Sequence, residues 1–282
     1  MQFSNSILKV IPRRSSCRTY LPQPLEPTIK ESLLTVLNAK HKSPIGGKVR
    51  FELIEMEELD SKEKKRLGTY GFIKGAQYFI VGAIQPSNHA LENLGYVMER
   101  IILFATDLGL GTCWLGGYFK RSNFASKIRI SPSRVPVISP VGYPSKRHHF
   151  IGKLAKLGAR SKYRKPWIAL FFEGDLNTPL NKISAGKYAE ALEMVRLGPS
   201  AANRQPWRII KEPERDEYHF FIYRKKKKKG KFPDLQRVDL GIAICHFDLT
   251  IQELELKGKW NFLKPNLRYS DSFEYIASWQ GH

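Results

Sequence analysis

Gly198-Pro-Ser-Ala-Ala-Asn-Arg-Gln-Pro-Trp207 places Ser200, Asn203 and Gln205 within six positions. These side chains carry both donors and acceptors, so a loop holding them suits the polar edge of a flat heterocycle. Gly198, Pro199, Ser200 and Asn203 also end helices and turn chains sharply. Taken alone, the stretch reads more simply as a helix stop. Arg14, Ser16 and Arg18 alternate near the start of the chain. In an extended backbone they face one side, where two guanidinium forks and a hydroxyl match a phosphate monoester. A basic strand face in water fits that spacing equally well. Lys162 and Arg164 repeat the i, i+2 arrangement. The glycines of Gly109-Leu-Gly-Thr-Cys-Trp-Leu-Gly-Gly117 fail the GxGxxG dinucleotide pattern, because Trp114 stands at the third glycine and the run follows a helix. Gly109 and Gly111 suit a helix cap and turn. Gly116 and Gly117 suit a close approach of backbone to something else.

The elements that must position these residues are legible from periodicity. A helix is predicted from Thr28 to about Ala39, with Ile29, Leu33, Val36 and Leu37 inward. Strands are predicted at 49–54, 76–84 and 135–144. Leu94, Val97, Met98, Ile101, Phe104, Ala105 and Leu108 hold a 3.6-residue period for four turns. The polar loop follows a helix ending near Val195 and precedes a strand-like run at Trp207. The Lys225–Lys229 run reads as a solvated loop after the strand at 218–223.

Composition sets the outer bounds. With 282 residues, 42% hydrophobic and 12% aromatic, the chain can build one large or two small cores. No apolar run approaches membrane-spanning length, and no signal peptide is legible. Cys17, Cys113 and Cys245 are odd in number and unpaired in spacing, which argues for the cytoplasm and against zinc or disulfides. The net charge of +21 is concentrated in 144–167 and 224–231. Such a surface attracts phosphates and nucleic acid by its field alone.

Leu94–Trp114 aligns without gaps on Leu240–Trp260, matching Leu, Gly, later Leu positions and the final Trp. The helix at 28–39 has a counterpart near 186–197. This pattern predicts an α+β fold of two related halves, 1–180 and 181–282, packed as an intrachain pseudo-dimer. The duplication is lopsided: Arg-x-Ser-x-Arg occurs only in the first half and Pro-Ser-x-x-Asn only in the second. One site shared between the halves is therefore expected, with its symmetry mate lost.

Together, Arg14-x-Ser16-x-Arg18, Pro199-Ser-Ala-Ala-Asn-x-Gln-Pro-Trp207, Gly-Leu-Gly-Thr-x-Trp-x-Gly-Gly and Pro140-Val-Gly-Tyr143 resemble the nitroreductase superfamily of flavoproteins. The order resembles the branch with two halves fused in one chain. The resemblance implies a nitroreductase-like fold and an FMN cofactor. It implies that Arg14, Ser16 and Arg18 hold the phosphate and ribityl chain, with Lys162 and Arg164 completing the phosphate site. Gly116 and Gly117 would present backbone near flavin N5. Pro199, Ser200, Ala201 and Asn203 would form the loop laid across the flavin. It implies hydride transfer from NAD(P)H as co-substrate to a nitro, quinone or similar small-molecule acceptor, with the flavin carrying the chemistry and no side-chain acid or base required. A monomer acting as a pseudo-dimer is expected. The alternative is a flavin- or polyanion-binding module that uses the basic surface without reductase turnover. Nucleic acid is the less favoured partner.

Overall fold

A computed structural model describes residues 1–56, 72–117, 119–145, 163–225 and 233–282. The chain opens with helix α1, Ile7–Arg13, which no sequence pattern announces. It is two turns long, contains Pro12 and buries only Ile7, Val10 and Ile11, so it offers too little periodicity to stand out. Its position matters: the backbone turns extended at Arg14, and Ser16 bridges Thr112 in parallel while Cys17 N–H donates to Thr112 O. That pairing gives Arg14-Ser-Ser-Cys-Arg18 the extended backbone its alternation requires.

The first half continues as α2 (Pro27–Asn38), β1 (Val49–Glu55), β2 (Tyr78–Ile84), α3 (Ala90–Asp107), β3 (Gly111–Thr112), α4 (Arg121–Lys127) and β4 (Val137–Gly142). The second comprises β5 (Phe171–Glu173), α5 (Lys182–Ala185), α6 (Ala189–Leu197), β6 (Trp207–Lys211), β7 (Glu217–Tyr223), α7 (Leu235–Glu253), β8 (Gly258–Asn261) and β9 (Phe273–Gly281). The first sheet runs β1-β2-β4-β3 and is antiparallel throughout. The second runs β5-β6-β7-β9-β8, so β6-β7-β9-β8 repeats the order of the first sheet. Strand β2 is buried along its whole length, as a central strand covered on both faces should be.

The expected boundary at 180 falls after β5, yet β5 pairs in parallel with β6 and belongs by hydrogen bonding to the second sheet. Its residues cap an otherwise open edge of β6, a place where unpaired N–H and C=O groups are costly.

Helices α3 and α7 form the seam between the halves. Helix α7 is buried on every face: Val238 to Ile251 are all buried. A helix buried all round must satisfy its polar side chains internally. Asp248 accepts from Tyr96 Oη at 2.6 Å and Trp260 Nε1 at 2.7 Å. His246 faces Glu99 Oε1 at 2.9 Å and Met194 O at 2.8 Å. Glu99 also accepts from Trp114 Nε1 at 2.7 Å.

Candidate functional site

Between the halves lies a cavity of about 400 Å³, within the usual range for ligand sites. The first half lines it with Arg14, Ser16, Arg18, Gly116 and Gly117, and Arg164 follows from the connection. The second half brings Pro199, Ser200, Ala201 and Asn203. Segments from opposite ends of the chain thus face one space. Lys162, expected beside Arg164, lies outside the described residues, as do Lys226–Lys229 of the lysine run; Lys225 is exposed just after β7.

The polar loop is held by its own side chains. Gln205 is fully buried; its Oε1 accepts from Lys165 N–H at 2.7 Å and its amide donates to Asn203 Oδ1 at 3.2 Å. Asn203 Nδ2 donates to Tyr163 O at 2.8 Å, and Ser200 Oγ accepts from Gln205 N–H at 2.8 Å. The donors and acceptors expected to meet a heterocycle thus mostly tie the loop to residues 163–165 and to itself. The physical reason is burial: Gln205 cannot reach solvent, so its amide must be satisfied by neighbouring backbone. Ala202, Asn203 and Gln205 have φ of 52°, 52° and 48°. Left-handed backbone at non-glycine residues costs roughly 1–2 kcal/mol each, and persists where the surroundings over-determine it.

The cavity is rich in cations. Arg14, Arg18, Arg164 and Arg204 all line it. The Nε atoms of Arg14 and Arg18 are buried without a hydrogen-bond partner among the described residues. Arg14 lies 3.9 Å from Glu99 Oε1, and Arg18 sits 4.9 Å from the Phe72 ring centre. Burial lowers the Arg164 pKa to about 10, with the charges of Arg14 and Arg196 acting in the same direction. Arg164 also closes the end of α6, where its Nε and Nη2 donate to Leu197 O at 3.0 and 2.9 Å. Such a cluster of like charges favours an anion between them.

Glycine has two uses at the cavity wall. A Cβ at Gly116 would strike the Leu235 side chain of α7, whereas Gly117 has open space beside it. Gly109 has φ of 78° and ends α3, as its position predicts.

Phe72, Arg204, Leu235 and Asp239 line the cavity without having been marked by any pattern in the sequence. Arg204 lies inside the Pro199–Trp207 motif at a position that reads as a spacer, and Trp114, a motif residue without an expected role, joins the same wall. Asp239 sits on α7 one residue before the aligned repeat begins. It is 3% exposed, and its Oδ1 accepts from Ala201 N–H at 2.8 Å. Burial pushes its carboxyl pKa up to about 8. Asp234 is engaged elsewhere, accepting from Arg224 Nη2 at 2.7 Å and from Gln236 N–H at the start of α7.

Two sheets of like strand order, packed through paired long helices around one cation-rich cavity, define an α+β protein of the nitroreductase fold class. A family model described as "Putative TM nitroreductase" matches residues 6–251, and the chain belongs to that family. Among solved structures, the chain is similar to a "putative nitroreductase" from Thermotoga maritima MSB8. That match has 24% identity and a TM-score of 0.60, covering 99% of this chain and 95% of that one. A nitroreductase with bound FMN from Bacteroides fragilis NCTC 9343 matches at 16% identity and a TM-score of 0.41, over 53% of this chain and 94% of that one. An FMN-dependent nitroreductase from Clostridium difficile R20291 matches at 17% identity and a TM-score of 0.40, over 51% and 91%. No curated protein matches the sequence. No helix among the described residues is long and apolar enough to cross a membrane.

Proposed function

We propose that the chain is an FMN-dependent oxidoreductase that takes hydride from NAD(P)H and passes it to a nitro, quinone or similar acceptor. The observation that carries this reading is the convergence of the Arg-x-Ser-x-Arg segment, the Gly116-Gly117 pair and the Pro199–Asn203 loop on one cavity. Family membership supports the same class.

The residues fit FMN. Its phosphate needs charge-assisted donors, and Arg14 and Arg18 have buried Nε–H groups without hydrogen-bond partners among the described residues. Its ring system needs apolar walls, which Phe72, Trp114, Leu235, Val238 and Ile242 supply. Its polar edge needs main-chain donors that approach closely, and Gly117 leaves that space open. When bound, FMN supplies the hydride-accepting and hydride-donating chemistry. The protein's own contribution is to bind, orient and enclose. Arg14, Ser16 and Arg18 hold the anionic end, with Arg204 adding to the field. The Leu197 carbonyl and the 163–165 backbone fix Arg164 and the polar loop against the opposite wall. Enclosure keeps water from the donor and acceptor as they occupy the site in turn.

Because one chain supplies both walls, a single copy completes the site, and we place the enzyme in the cytoplasm as a monomer with three free cysteines. The visible spectrum of purified protein, with its FMN-to-chain ratio, tests this reading. A yellow protein with a ratio near one, bleached by NAD(P)H, is expected. Colourless protein that takes up no added FMN would overturn it, and a ratio near two would overturn the single shared site.

A further inference from the structure

Asp239 stands out among the cavity residues because half of its carboxyl group has no hydrogen-bond partner among the described residues. Oδ1 accepts from Ala201 N–H and so ties α7 to the polar loop. Oδ2 is buried and unpartnered. Buried polar atoms are almost always satisfied, so an orphan beside a ligand-sized cavity points to a ligand atom as the missing partner.

The internal repeat shows that the charge is not needed for the fold. Extending the Leu94/Leu240 alignment back by one residue pairs Asn93 with Asp239. Asn93 is buried at the matching place on α3, and its Nδ2 donates to Gly47 O at 3.0 Å, tying α3 to the loop after α2. Both halves thus use this position to fasten the loop that follows the preceding helix. In the first half, where the residue does not line the cavity, the position is an amide whose Oδ1 is left without a hydrogen-bond partner among the described residues. Only the copy at the cavity is an acid.

We propose that Asp239 is the titrating hydrogen-bond donor of this site, its free carboxyl oxygen presenting O–H to an acceptor atom on the ring system of bound FMN. The inference rests on the flavin reading above. The surroundings keep the acid neutral: burial raises its pKa to about 8, with Asp234 at the start of α7 acting in the same direction, and the Ala201 N–H bond and Arg204 opposing it. Arg14, Arg18 and Arg164 are the other charged groups around the cavity. Below that pKa the group is a donor that complements a ring carbonyl or pyridine-type nitrogen. Above it, a carboxylate faces the acceptor edge with nothing to donate. FMN affinity must therefore fall as the pH rises through the Asp239 ionisation.

Fluorescence titration of FMN into the flavin-stripped full chain, from about pH 7 to about pH 9, tests this for wild type and Asp239→Asn. The variant keeps an oxygen for Ala201 N–H and offers N–H in place of O–H. For wild type, an ionisation at about pH 8 makes binding roughly tenfold weaker at about pH 9 than at about pH 7. Asp239→Asn should hold a flat profile near the wild-type value at the lower pH, which also removes any contribution from titration of FMN itself. Parallel profiles in the two proteins would overturn the inference while leaving the flavin reading intact. A flat wild-type profile would do the same even if the variant failed to fold. Failure of wild type to bind FMN at any pH would overturn both together.

Discussion

Gly95 and Gly241 meet across the α3–α7 seam in a reciprocal contact. A Cβ on Gly95 would collide with Val238 O, and a Cβ on Gly241 would collide with Glu92 O. The two glycines are equivalent in the aligned repeat, and so are the two carbonyls that they meet, each three residues upstream. This is the geometry of an isologous interface, here formed within one chain.

That contact predicts that Gly95→Ala and Gly241→Ala are both strongly destabilising, because each added methyl meets backbone that cannot rotate away. Losses of about 2 kcal/mol or more are expected for overpacking of this kind. Gly117→Ala, with open space around it, should stay within about 0.5 kcal/mol of wild type. Urea midpoints of the three variants decide the matter; equal midpoints would contradict the seam.

Arg18→Ala should weaken FMN binding by about 10- to 100-fold, the loss of a charge-assisted hydrogen bond. Lys225→Ala, exposed beyond β7, should change it by less than about twofold, since its charge is screened by solvent. Calorimetric or fluorescence titration would contradict the placement of Arg18 if both variants lost affinity equally.

Glu99 predicts an acid limb in stability. Burial alone would raise its pKa, but the bond from His246, the charges of His246 and Arg14 and the bond from Trp114 together hold it below the ordinary carboxylate value. A depressed carboxyl pKa contributes stability above its unfolded value, and that stability is lost as pH falls through the folded one. Glu99→Gln leaves the buried Arg14 guanidinium without its carboxylate, which costs about 3–5 kcal/mol for a buried partner. Its melting temperature should be well below wild type at neutral pH and converge on it in acid. A constant gap across the acid range would contradict the ion pair.

Asp239 predicts the opposite slope in FMN-free protein. Its folded pKa of about 8 stands above the ordinary aspartate value of about 3.9. Its favourable contribution is complete below the unfolded pKa, shrinks as pH rises and is gone above about 8. Thermal melts of Asp239→Asn should therefore gain on wild type steadily from about pH 5 to about pH 8. A difference independent of pH over that span would show that the carboxyl is ionised throughout.

Much of the fold is legible in the chain itself. The α2, α3 and α6 helices and strands β1, β2, β6 and β7 lie within a few residues of their predicted positions, since each carries a long apolar period. The gapless repeat marks α3 and α7 as partners. Three features escape such reading. Helix α1 is too short to show a period, and β5 is recognised only by its pairing with β6. The full burial of α7 is hidden because Asp239, His246 and Asp248 look like polar interruptions until their partners on distant segments are seen.

The same division holds at the site. Residue type and spacing alone determined which segments are basic, which are glycine-rich and which bend, because those properties belong to single residues and their near neighbours. The tertiary structure decided that Arg14, Gly117 and Ser200 share one cavity, since only the close packing of α3 on α7 brings the halves together. It also decided that Gln205 and Asn203 serve the loop, and that Asp239 is a buried acid with one oxygen unmatched. Burial and hydrogen-bond partnership are set by what packs around a residue, and no local pattern records them.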